Sequence, residues 1–514
     1  MMIFNLRNSA LIIAAIAFTG ALSCAQSMRS DDAPIIPHST IFTSTREVRA
    51  LTLDQSGALW AATNGGVLRR DADGKWTKWT RADGLPSHEI QNVRVMKNLI
   101  YADTPRGVAF LPGKDWKTSA EKLKPPPPLK WRNQTVQTTP QGLRIHTSST
   151  RSIAITTPGR GTHISALWPR GKTLLAASFS DNVYSWNGRI WTSLQLQLPT
   201  EARDITSLCE DAKSQTLWIG TRRAGVWCAD LSTRTVKPSS SHDAEPFDHN
   251  VQNMASFDGR LWVSTLEDGQ VSFDGKSWRH FSTPQISTVA PRHLVVFQNA
   301  LYVRHGDGQV DKYDGKIWTK NVFSWLPRHK VFALSADDGR LVAVQWGGWS
   351  EWNGATWTHH FDVPQLQNTP IVSLLIDDEK LWLGTQNKGV IEYSKRVATV
   401  HDERNGLPDD WITCLEKIDN IIYAGTFVGG LARFDGKTWT TQRELKGENV
   451  TALAKAENGD LAIATRNGVW RRAPDGKMTK LKNLDSETQA LLRSGGLLVG
   501  ARTGINYRAM RDEQ

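Results

Sequence analysis

Short runs of alternating apolar and polar residues recur along almost the whole chain. In the first clear example the runs are Val48–Asp54, Ala58–Thr63, Gly66–Arg70 and Lys75–Thr80. Side chains of a β-strand point to opposite faces in turn, so each of these runs predicts a strand. The residues between the runs are turn formers, which indicates four short strands that follow one another as antiparallel neighbours.

Pairs of Asp and Gly mark the turn before the fourth predicted strand. Asp73-Gly74 is the first, and both positions of such a two-residue hairpin turn favour residues that tolerate positive φ. The same pair recurs at Asp274-Gly275, Asp314-Gly315, Asp435-Gly436 and Asp475-Gly476. The recurrence predicts that the four-stranded unit is repeated.

The repeat is clearest at Leu381-Trp382-Leu383-Gly384-Thr385, which is followed by Gly389-Val390. Its Trp position recurs roughly every 40 residues, as expected for an array of one supersecondary unit. The twelve positions are Trp60, Tyr101, Val136, Leu175, Trp218, Trp262, Tyr302, Val342, Trp382, Tyr423, Ala462 and Leu498. We therefore predict an all-β fold, a β-propeller of about twelve four-stranded blades, in which most of the 22 tryptophans pack between blades.

Twelve blades exceed the four to eight of a usual propeller ring. We expect two rings of six, with residues 46–285 in the first and 286–514 in the second; seven plus five is the alternative. The last repeat, Ala490–Met510, has only three predicted strands. A strand from segment 26–45, around Thr40–Ser44, would complete it and remove an exposed sheet edge.

Residues 1–25 have the pattern of an export signal. Arg7 supplies a positive charge, Leu11–Phe18 an apolar core, and Ala21–Ala25 a small-residue cleavage zone. Cys24 leaves a lipid anchor open as an alternative to ordinary cleavage. No later segment has the ~18 apolar residues of a membrane span. We expect an exported protein, periplasmic or extracellular, without a membrane span.

Four short motifs resemble the two-component regulator propeller repeat. They are Trp218–Thr221, Trp382–Thr385, and the linking loops Asp83–Pro86 and Asn405–Pro408. In that family such repeats usually form the extracytoplasmic sensing part of a membrane histidine kinase. This chain has no kinase or DNA-binding segment, so the resemblance implies a free-standing propeller that works by binding.

Composition favours acidic partners. The chain has 62 Lys and Arg against 51 Asp and Glu, a net charge of +11. The basic residues form no block of the kind that binds nucleic acid, so we expect no nucleic-acid partner. No cofactor, no metal-ligand spacing and no common catalytic motif is evident. Asp409 and Asp410 are adjacent and would point to opposite faces of a strand, which makes a poor acid and base pair.

Candidate ligand-binding residues lie in the loops between the second and third strands and between blades. The loop Gln345–Trp349 is unusual because Trp346 and Trp349 replace small repeat residues. Aromatic rings stack on sugars and Arg binds carboxylate or sulfate, although the two Trp rings would alternatively pack under neighbouring loops. The candidates are Trp346, Trp349, Arg222, Arg223, His305, Trp325, Arg328, His329, Phe427 and Trp411.

These features favour a non-enzymatic binding module for a glycan, another acidic polymer or a small-molecule ligand. The alternatives are a scaffold that docks a cell-envelope protein, and a polysaccharide lyase or hydrolase, since propellers also host enzymes without obvious motifs.

Overall fold

The structure is a computed structural model that describes most of the chain after the leader. The described residues are 23–24, 41–119, 128–148, 150–239, 250–266, 269–337, 339–456, 459–481, 484, 488–493, 497–501 and 504–508. The predicted export signal therefore lies outside the described residues, apart from Ser23 and Cys24. By contacts between residues the chain forms two compact units, which we call the five-sheet unit and the seven-sheet unit.

The five-sheet unit comprises Thr43–Pro246. Its strands, in chain order, are as follows. Sheet 1 has Val48–Leu53, Leu59–Thr63, Gly66–Arg70 and Trp76–Trp79; sheet 2 has Asn92–Met96, Leu99–Thr104, Gly107–Leu111 and Lys117–Ser119; sheet 3 has Lys130–Trp131, Gln134–Thr139, Gly142–His146 and Ser152–Thr156; sheet 4 has Ile164–Arg170, Thr173–Ser178, Val183–Trp186 and Trp191–Ser193; sheet 5 has Ile205–Asp211, Thr216–Thr221, Val226–Asp230 and Val236–Pro238.

The seven-sheet unit comprises Phe247–Gln514 and the chain up to Phe42. Sheet 6 has Val251–Phe257, Arg260–Thr265, Gln270–Phe273 and Trp278–Phe281; sheet 7 has Pro291–Phe297, Ala300–His305, Val310–Tyr313 and Trp318–Thr319; sheet 8 has Ala333–Ala336, Leu341–Gln345, Gly348–Trp352 and Trp357–His360; sheet 9 has Ile371–Asp377, Lys380–Thr385, Val390–Ser394 and Val397–His401; sheet 10 has Ile412–Ile418, Ile421–Thr426, Leu431–Phe434 and Trp439–Thr441; sheet 11 has Val450–Lys455, Leu461–Thr465, Gly468–Arg472 and Met478–Lys480; sheet 12 has Thr488–Arg493, Leu497–Ala501, Gly504–Arg508 and Ile41–Phe42. Ser23–Cys24 adds a short parallel strand to the first strand of sheet 11.

Each of the twelve sheets in the described part of the chain has four antiparallel strands as predicted, and sheet 11 carries the added parallel strand. The fold is a β-propeller array. In the seven-sheet unit, the first strands of sheets 6 to 12 contact one another in turn, and that of sheet 12 contacts that of sheet 6. The sequence favoured six sheets in each ring, with seven plus five as the alternative. Contacts between residues group sheets 1 to 5 in one unit and sheets 6 to 12 in the other. That the five-sheet unit closes into a ring stays a prediction.

The repeat motif has a direct structural cause at its Gly and Thr positions. In sheet 5, a Cβ added to Gly220 would lie 2.5 Å from Val48 Cγ1, in the first strand of sheet 1. The same Cβ would lie 2.2 Å from Ser207 Oγ in the first strand of sheet 5. Glycine therefore leaves room for the side chains of Ser207 and Val48, which fill this space between the two sheets. The next residue, Thr221, donates its hydroxyl to the carbonyl of Gly225 at 2.9 Å and closes the turn to the third strand. The same Thr bond recurs at Thr63, Thr104, Thr265, Thr385, Thr426 and Thr465.

Short 3-10 helices occur in some of the linkers. They are Arg81–Asp83, Thr200–Ala202, Pro364–Leu366, Glu403–Asn405 and Arg443–Leu445. The first is fixed by a capping box: Thr80 Oγ1 accepts from the Ala82 amide, and the Asp83 carboxylate accepts from the Thr80 amide at 2.7 Å. Gly84 then ends the helix with a φ of 95°. This geometry explains the Asp-Gly-Leu-Pro linker, because Asp caps and Gly alone reverses the chain easily.

Tryptophans of the repeat pack between sheets, as their spacing predicted. Trp262 of sheet 6 is 1% exposed and stacks on Phe281 with ring centroids 5.4 Å apart. It also meets Trp318 of sheet 7 edge to face at 6.0 Å. Buried aromatic pairs of this type add stability beyond the apolar area that they bury.

The N-terminal segment supplies the fourth strand of the last sheet. Ile41 and Phe42 pair antiparallel with Asn506 and Ile505. The Phe42 ring contacts Phe273 at 5.0 Å and Trp278 at 5.3 Å, both in sheet 6. The two-residue strand therefore covers the outer edge of sheet 12 and packs it onto sheet 6.

Shortening the chain tests this closure. A variant that begins at Arg46 lacks the strand and the buried Phe42 ring, and it will lose about 3–5 kcal/mol of unfolding free energy, the usual cost of removing a buried large aromatic side chain. The measurement is the melting temperature and urea midpoint, with a variant that begins at Thr40 as the control. Equal stability of the two variants would show that the strand contributes nothing to closure.

Candidate functional site

The turns between second and third strands lie at the same edge of each sheet as the linkers to the next sheet, because successive strands alternate in direction. Sheet 8 departs most from the repeat at this edge. Gln345 pairs with Gly348 where other sheets pair Thr with Gly, for example Thr63 with Gly66. Trp346 and Gly347 therefore form the turn, and Gly347 has a φ of 75°.

Trp349 follows this turn and belongs to the core. It occupies the position of Val67 in sheet 1 and is 1% exposed. Its ring stacks on His360 at 4.7 Å and meets Tyr393 of sheet 9 edge to face at 4.7 Å. This burial agrees with the packing alternative that the sequence left open for Trp349. The third strand begins at Gly348, so Trp349 lies in the strand and its side chain points to the buried face.

Trp346 is exposed, with 43% of its surface accessible, and it lies at the loop edge of sheet 8 near two pairs of contacting side chains. The four residues, which we call the sheet-8 tip, are Arg328, Phe332, Trp346 and Phe361. The rings of Trp346 and Phe332 are 6.2 Å apart, and Phe332 is 36% exposed. The Arg328 guanidinium lies over the Phe361 ring at 5.2 Å. Sequence analysis found Arg328 and Trp346 but missed both phenylalanines.

A hydrogen bond and a glycine position fix the residues of the sheet-8 tip. The side-chain amide of Gln345 donates to the carbonyl of Arg328 at 2.7 Å, which ties the linker to the turn that carries Trp346. A Cβ on Gly348 would lie 2.1 Å from the His360 carbonyl oxygen and 2.6 Å from the Phe361 ring, so glycine leaves room for the fourth strand and for that ring. The glutamine at the usual Thr position thus has a role that the repeat pattern did not reveal.

Trp325 and His329 lie in the same linker, apart from the tip aromatics. Trp325 is 54% exposed, donates its indole nitrogen to the Val322 carbonyl at 3.0 Å, and meets the Trp357 ring edge to face at 5.4 Å. Trp357 begins the fourth strand, at the opposite end from Phe361. The imidazole of His329 bonds the Ser324 carbonyl at 2.7 Å. These contacts shape the linker.

His305 is buried rather than exposed. It stands at the Thr position of sheet 7, and its Nε2 lies 2.8 Å from a carboxylate oxygen of Asp311, with both side chains 0% exposed. Asp311 also accepts from the amide and hydroxyl of Ser287 and from the Asn321 amide at 2.9 Å. This pair replaces the Thr bond that closes the turn in other sheets, which corrects its sequence-based placement in a ligand-facing loop.

Burial and hydrogen bonding act in opposite directions on Asp311. Burial alone raises the pKa of a carboxyl group, but hydrogen bonds from His305 and Ser287 and the charge of His305 outweigh it. The pKa of Asp311 is therefore lowered. The folded protein therefore favours the ionised carboxylate of Asp311 over the protonated acid.

Trp411 and Phe427 form a second aromatic contact, at sheet 10, with ring centroids 4.6 Å apart. Asp409 caps the same loops by accepting from the Trp411 and Val428 amides at 3.0 and 2.8 Å. Asp410 accepts from the Glu403 amide at 2.9 Å. Both carboxylates thus accept hydrogen bonds from backbone amides of the loops, and the two do not face each other across a cleft.

Arg222 and Arg223 are exposed in the second-to-third-strand turn of sheet 5, within the five-sheet unit. The Arg222 amide donates to the Asp204 carbonyl at 2.9 Å, which fixes the turn. The other eight candidates lie in the seven-sheet unit.

Metal binding and membrane crossing find no support in the described ranges. There, no group of three or more His, Cys, Asp or Glu side chains is placed to hold a metal ion. None of the helices in those ranges has the length and apolar content that crossing a bilayer needs.

No family model matches the chain, and no curated protein matches it. The chain is similar to PorZ, an essential bacterial surface component of the type-IX secretion system of Porphyromonas gingivalis. The two share 13% identity over 92% of this chain and 87% of that one, with a TM-score of 0.62. At this identity the similarity shows the propeller fold and nothing more.

Two further structures share the architecture more loosely. The extracellular domain of the hybrid two component system BT3049 from B. thetaiotaomicron is 16% identical over 90% of this chain and 68% of that one, with a TM-score of 0.47. The GH74 enzyme of Niastella koreensis is 13% identical over 93% of this chain and 99% of that one, also with a TM-score of 0.47.

Replacing Trp349 tests its core role. Trp349→Ala removes a fully buried indole and will lower the unfolding free energy by about 3–5 kcal/mol. Trp346→Ala, at an exposed turn, will change it by less than about 0.5 kcal/mol. Urea unfolding of both variants checks this. A stable Trp349→Ala variant would contradict the assignment of this ring to the core.

Acid unfolding tests the buried pair of His305 and Asp311. Because the folded pKa of Asp311 is lowered, its stabilisation is fully present above the usual Asp pKa of about 4 and is lost as pH falls through the folded value. Asp311→Asn will therefore lower the melting temperature at pH 7, and the gap to wild type will close towards pH 3. Asp362→Asn, at an exposed linker position, is the control. A gap that stays constant with pH would contradict the stabilising role of the Asp311 carboxylate.

Proposed function

We propose that this chain is an exported, non-enzymatic propeller that binds a glycan or another acidic polymer through the sheet-8 tip. The observation that carries the proposal is the exposure of Trp346. A two-residue turn with glycine at its second position does not require an indole: sheet 1 has Asn64 at the equivalent place. Exposed aromatic surface next to a second ring is typical of a binding site.

The composition of the tip fits a sugar ligand with acidic groups. Trp346 and Phe332 offer ring faces to the apolar side of a sugar, and Arg328 offers donors that match a carboxylate or sulfate. None of the four tip residues is acidic, and the chain carries a net charge of +11. The positive charge would also speed the approach of an acidic polymer.

Export supports this assignment, since extracellular polymers are met only outside the cytoplasm. The proposal of export rests on the leader pattern of residues 1–25. Its destination is the periplasm or the cell exterior, with a lipid anchor on Cys24 as the alternative to ordinary cleavage. Docking of a cell-envelope protein and polysaccharide cleavage remain the competing hypotheses.

Binding to a panel of neutral and acidic oligosaccharides tests the proposal. Trp346→Asn places the residue of the sheet 1 turn at this position, so the turn will survive. We expect it to weaken binding of the best ligand by about 1–3 kcal/mol, because a central aromatic contact is lost. Arg328→Ala will weaken only acidic ligands, and its effect will fade with added salt. Calorimetry on the purified full chain measures both.

Ile317→Ala is the matched control, because Ile317 is 67% exposed in the hairpin turn at the opposite edge of sheet 7. It will bind like wild type. Normal binding by Trp346→Asn would show that the tip is not the site. Release of reducing ends from the oligosaccharides would establish the enzyme hypothesis instead.

A further inference from the structure

The outermost strand of sheet 8 carries rings at three successive positions of one face. Trp357, His359 and Phe361 are spaced two residues apart, so their side chains point to the same side of the sheet. The rings of His359 and Phe361 are stacked with centroids 6.5 Å apart. His359 is exposed, and its Nδ1 lies 2.9 Å from the Ser350 hydroxyl in the neighbouring strand. We call Trp357, His359 and Phe361 the sheet-8 row.

The repeat requires only the first of these rings. Trp357 pairs with Trp352 across the hairpin turn, and sheets 4, 6, 7 and 10 have an aromatic pair at the same place. The two positions that follow are occupied differently in other sheets: Lys78 and Thr80 in sheet 1, His280 and Ser282 in sheet 6, Thr441 and Arg443 in sheet 10. Packing between repeats therefore does not call for rings at both His359 and Phe361.

A tryptophan from the preceding linker extends the row at its first residue. Trp325 meets the Trp357 ring edge to face at 5.4 Å, and 54% of its surface is exposed. Its indole nitrogen donates to the Val322 carbonyl at 3.0 Å, which fixes the ring. An exposed ring that is already held in place loses little conformational freedom when a ligand stacks on it. Trp325 is therefore a preformed contact for a ligand.

The last residue of the row belongs to the sheet-8 tip. The Arg328 guanidinium lies over the Phe361 ring at 5.2 Å, just as Trp325 lies against Trp357. Linker and strand thus run side by side. Between Trp357 and Phe361 the strand covers about 13 Å at the usual rise per residue.

The linker beside the row is basic. Its residues 320–332 contain no Asp or Glu but four basic side chains, those of Lys320, Arg328, His329 and Lys330. Glu351 of the third strand pairs across the sheet with Thr358, which places it on the other face, and it forms an ion pair with Arg340 at 3.0 Å. Asp362 follows Phe361 and is exposed. Positive charge therefore predominates along the row, which favours an acidic ligand.

We propose that the ligand of the sheet-8 tip is an extended acidic oligosaccharide that continues along the sheet-8 row to Trp325. This inference rests on the proposed function, because it extends the same site. The rings contact the apolar faces of successive sugars, and the basic linker binds their carboxylate or sulfate groups. A single sugar at the tip does not reach Trp325, so the ligand that fits the whole site is a chain of several sugars.

A length series tests the extended site. Calorimetry on the purified full chain compares the di-, tetra- and hexasaccharides of hyaluronan with those of polygalacturonate. We expect wild type to bind the hexasaccharide of at least one series at least about tenfold more tightly than its disaccharide, because the longer chain reaches one more aromatic contact. A longer chain also offers more binding frames, but that factor is the same for every variant. The readout is therefore the ratio of hexasaccharide to disaccharide affinity, compared between variants.

Trp325→Ala will lower this ratio at least about fivefold, because the contact at the far end of the row is lost. Trp325→Phe keeps a ring at this position and will restore at least part of the ratio. Ile317→Ala is the matched control, an exposed apolar residue at the hairpin edge of sheet 7, and it will keep the wild-type ratio. Melting temperatures of all three variants check that the fold is retained.

Each contrary result has its own meaning. Equal ratios in wild type and Trp325→Ala would overturn the extended site and leave the tip in place. Disaccharide binding that Trp346→Asn does not weaken would overturn the proposed function and this inference with it. A wild type that binds no member of either series would overturn the inference that the ligand is an acidic sugar chain.

Discussion

In several sheets of the described part of the chain, the first strand closely approaches the second strand of the preceding sheet. The contact is visible where glycine stands: added Cβ atoms would lie 2.7 Å from Ile412 at Gly384, 2.6 Å from Val450 at Gly425 and 2.5 Å from Val251 at Gly500. The last of these joins sheet 12 to sheet 6. Both faces of a sheet are therefore buried only when it has neighbours on both sides, which is why single repeats would not be stable.

Departures from this repeat concentrate in sheets 7 and 8. Arg304 stands where most sheets have Gly, Ala or Ser, and His305 and Gln345 replace Thr. Trp346 stands at a turn position where the other sheets vary, with Asn64, Arg222, Leu266 and Phe427 among the equivalents. Local rules that a sequence obeys in most repeats and breaks in two adjacent ones are expected at functional positions. His305 shows the limit of this inference, because Asp311 fully satisfies it and the pair serves the fold.

The sequence was sufficient for the architecture, because period, turn residues and alternating strands all indicate one unit. The strand from the N-terminal segment followed from the missing strand of the last repeat, since Phe42 lies where an open edge would otherwise be. The partition between units was less accessible, because Gly220 and Gly500 each meet a first strand that is distant in sequence, Val48 and Val251. Because the repeats resemble one another, the sequence does not reveal which sheets that are distant in the chain contact each other.

The candidate site was only partly predictable, since burial depends on register. Trp346 and Trp349 look equivalent in the sequence, yet the pairing of Gln345 with Gly348 puts one in the turn and the other in the core. Phe332 and Phe361 come from linkers without repeat spacing, so no pattern marked them.

The loop edge of the array tolerates variation that the faces between sheets do not. Trp346 lies in a turn and is 43% exposed, whereas Trp349, three residues later, is 1% exposed and contacts His360 and Tyr393. A substitution in the turn therefore changes the surface and leaves the packing of sheet 8 against sheet 9 intact, while a substitution at Trp349 removes a buried contact. Residues that differ between repeats at no cost in packing are expected at this edge, because loops can vary while the scaffold stays the same.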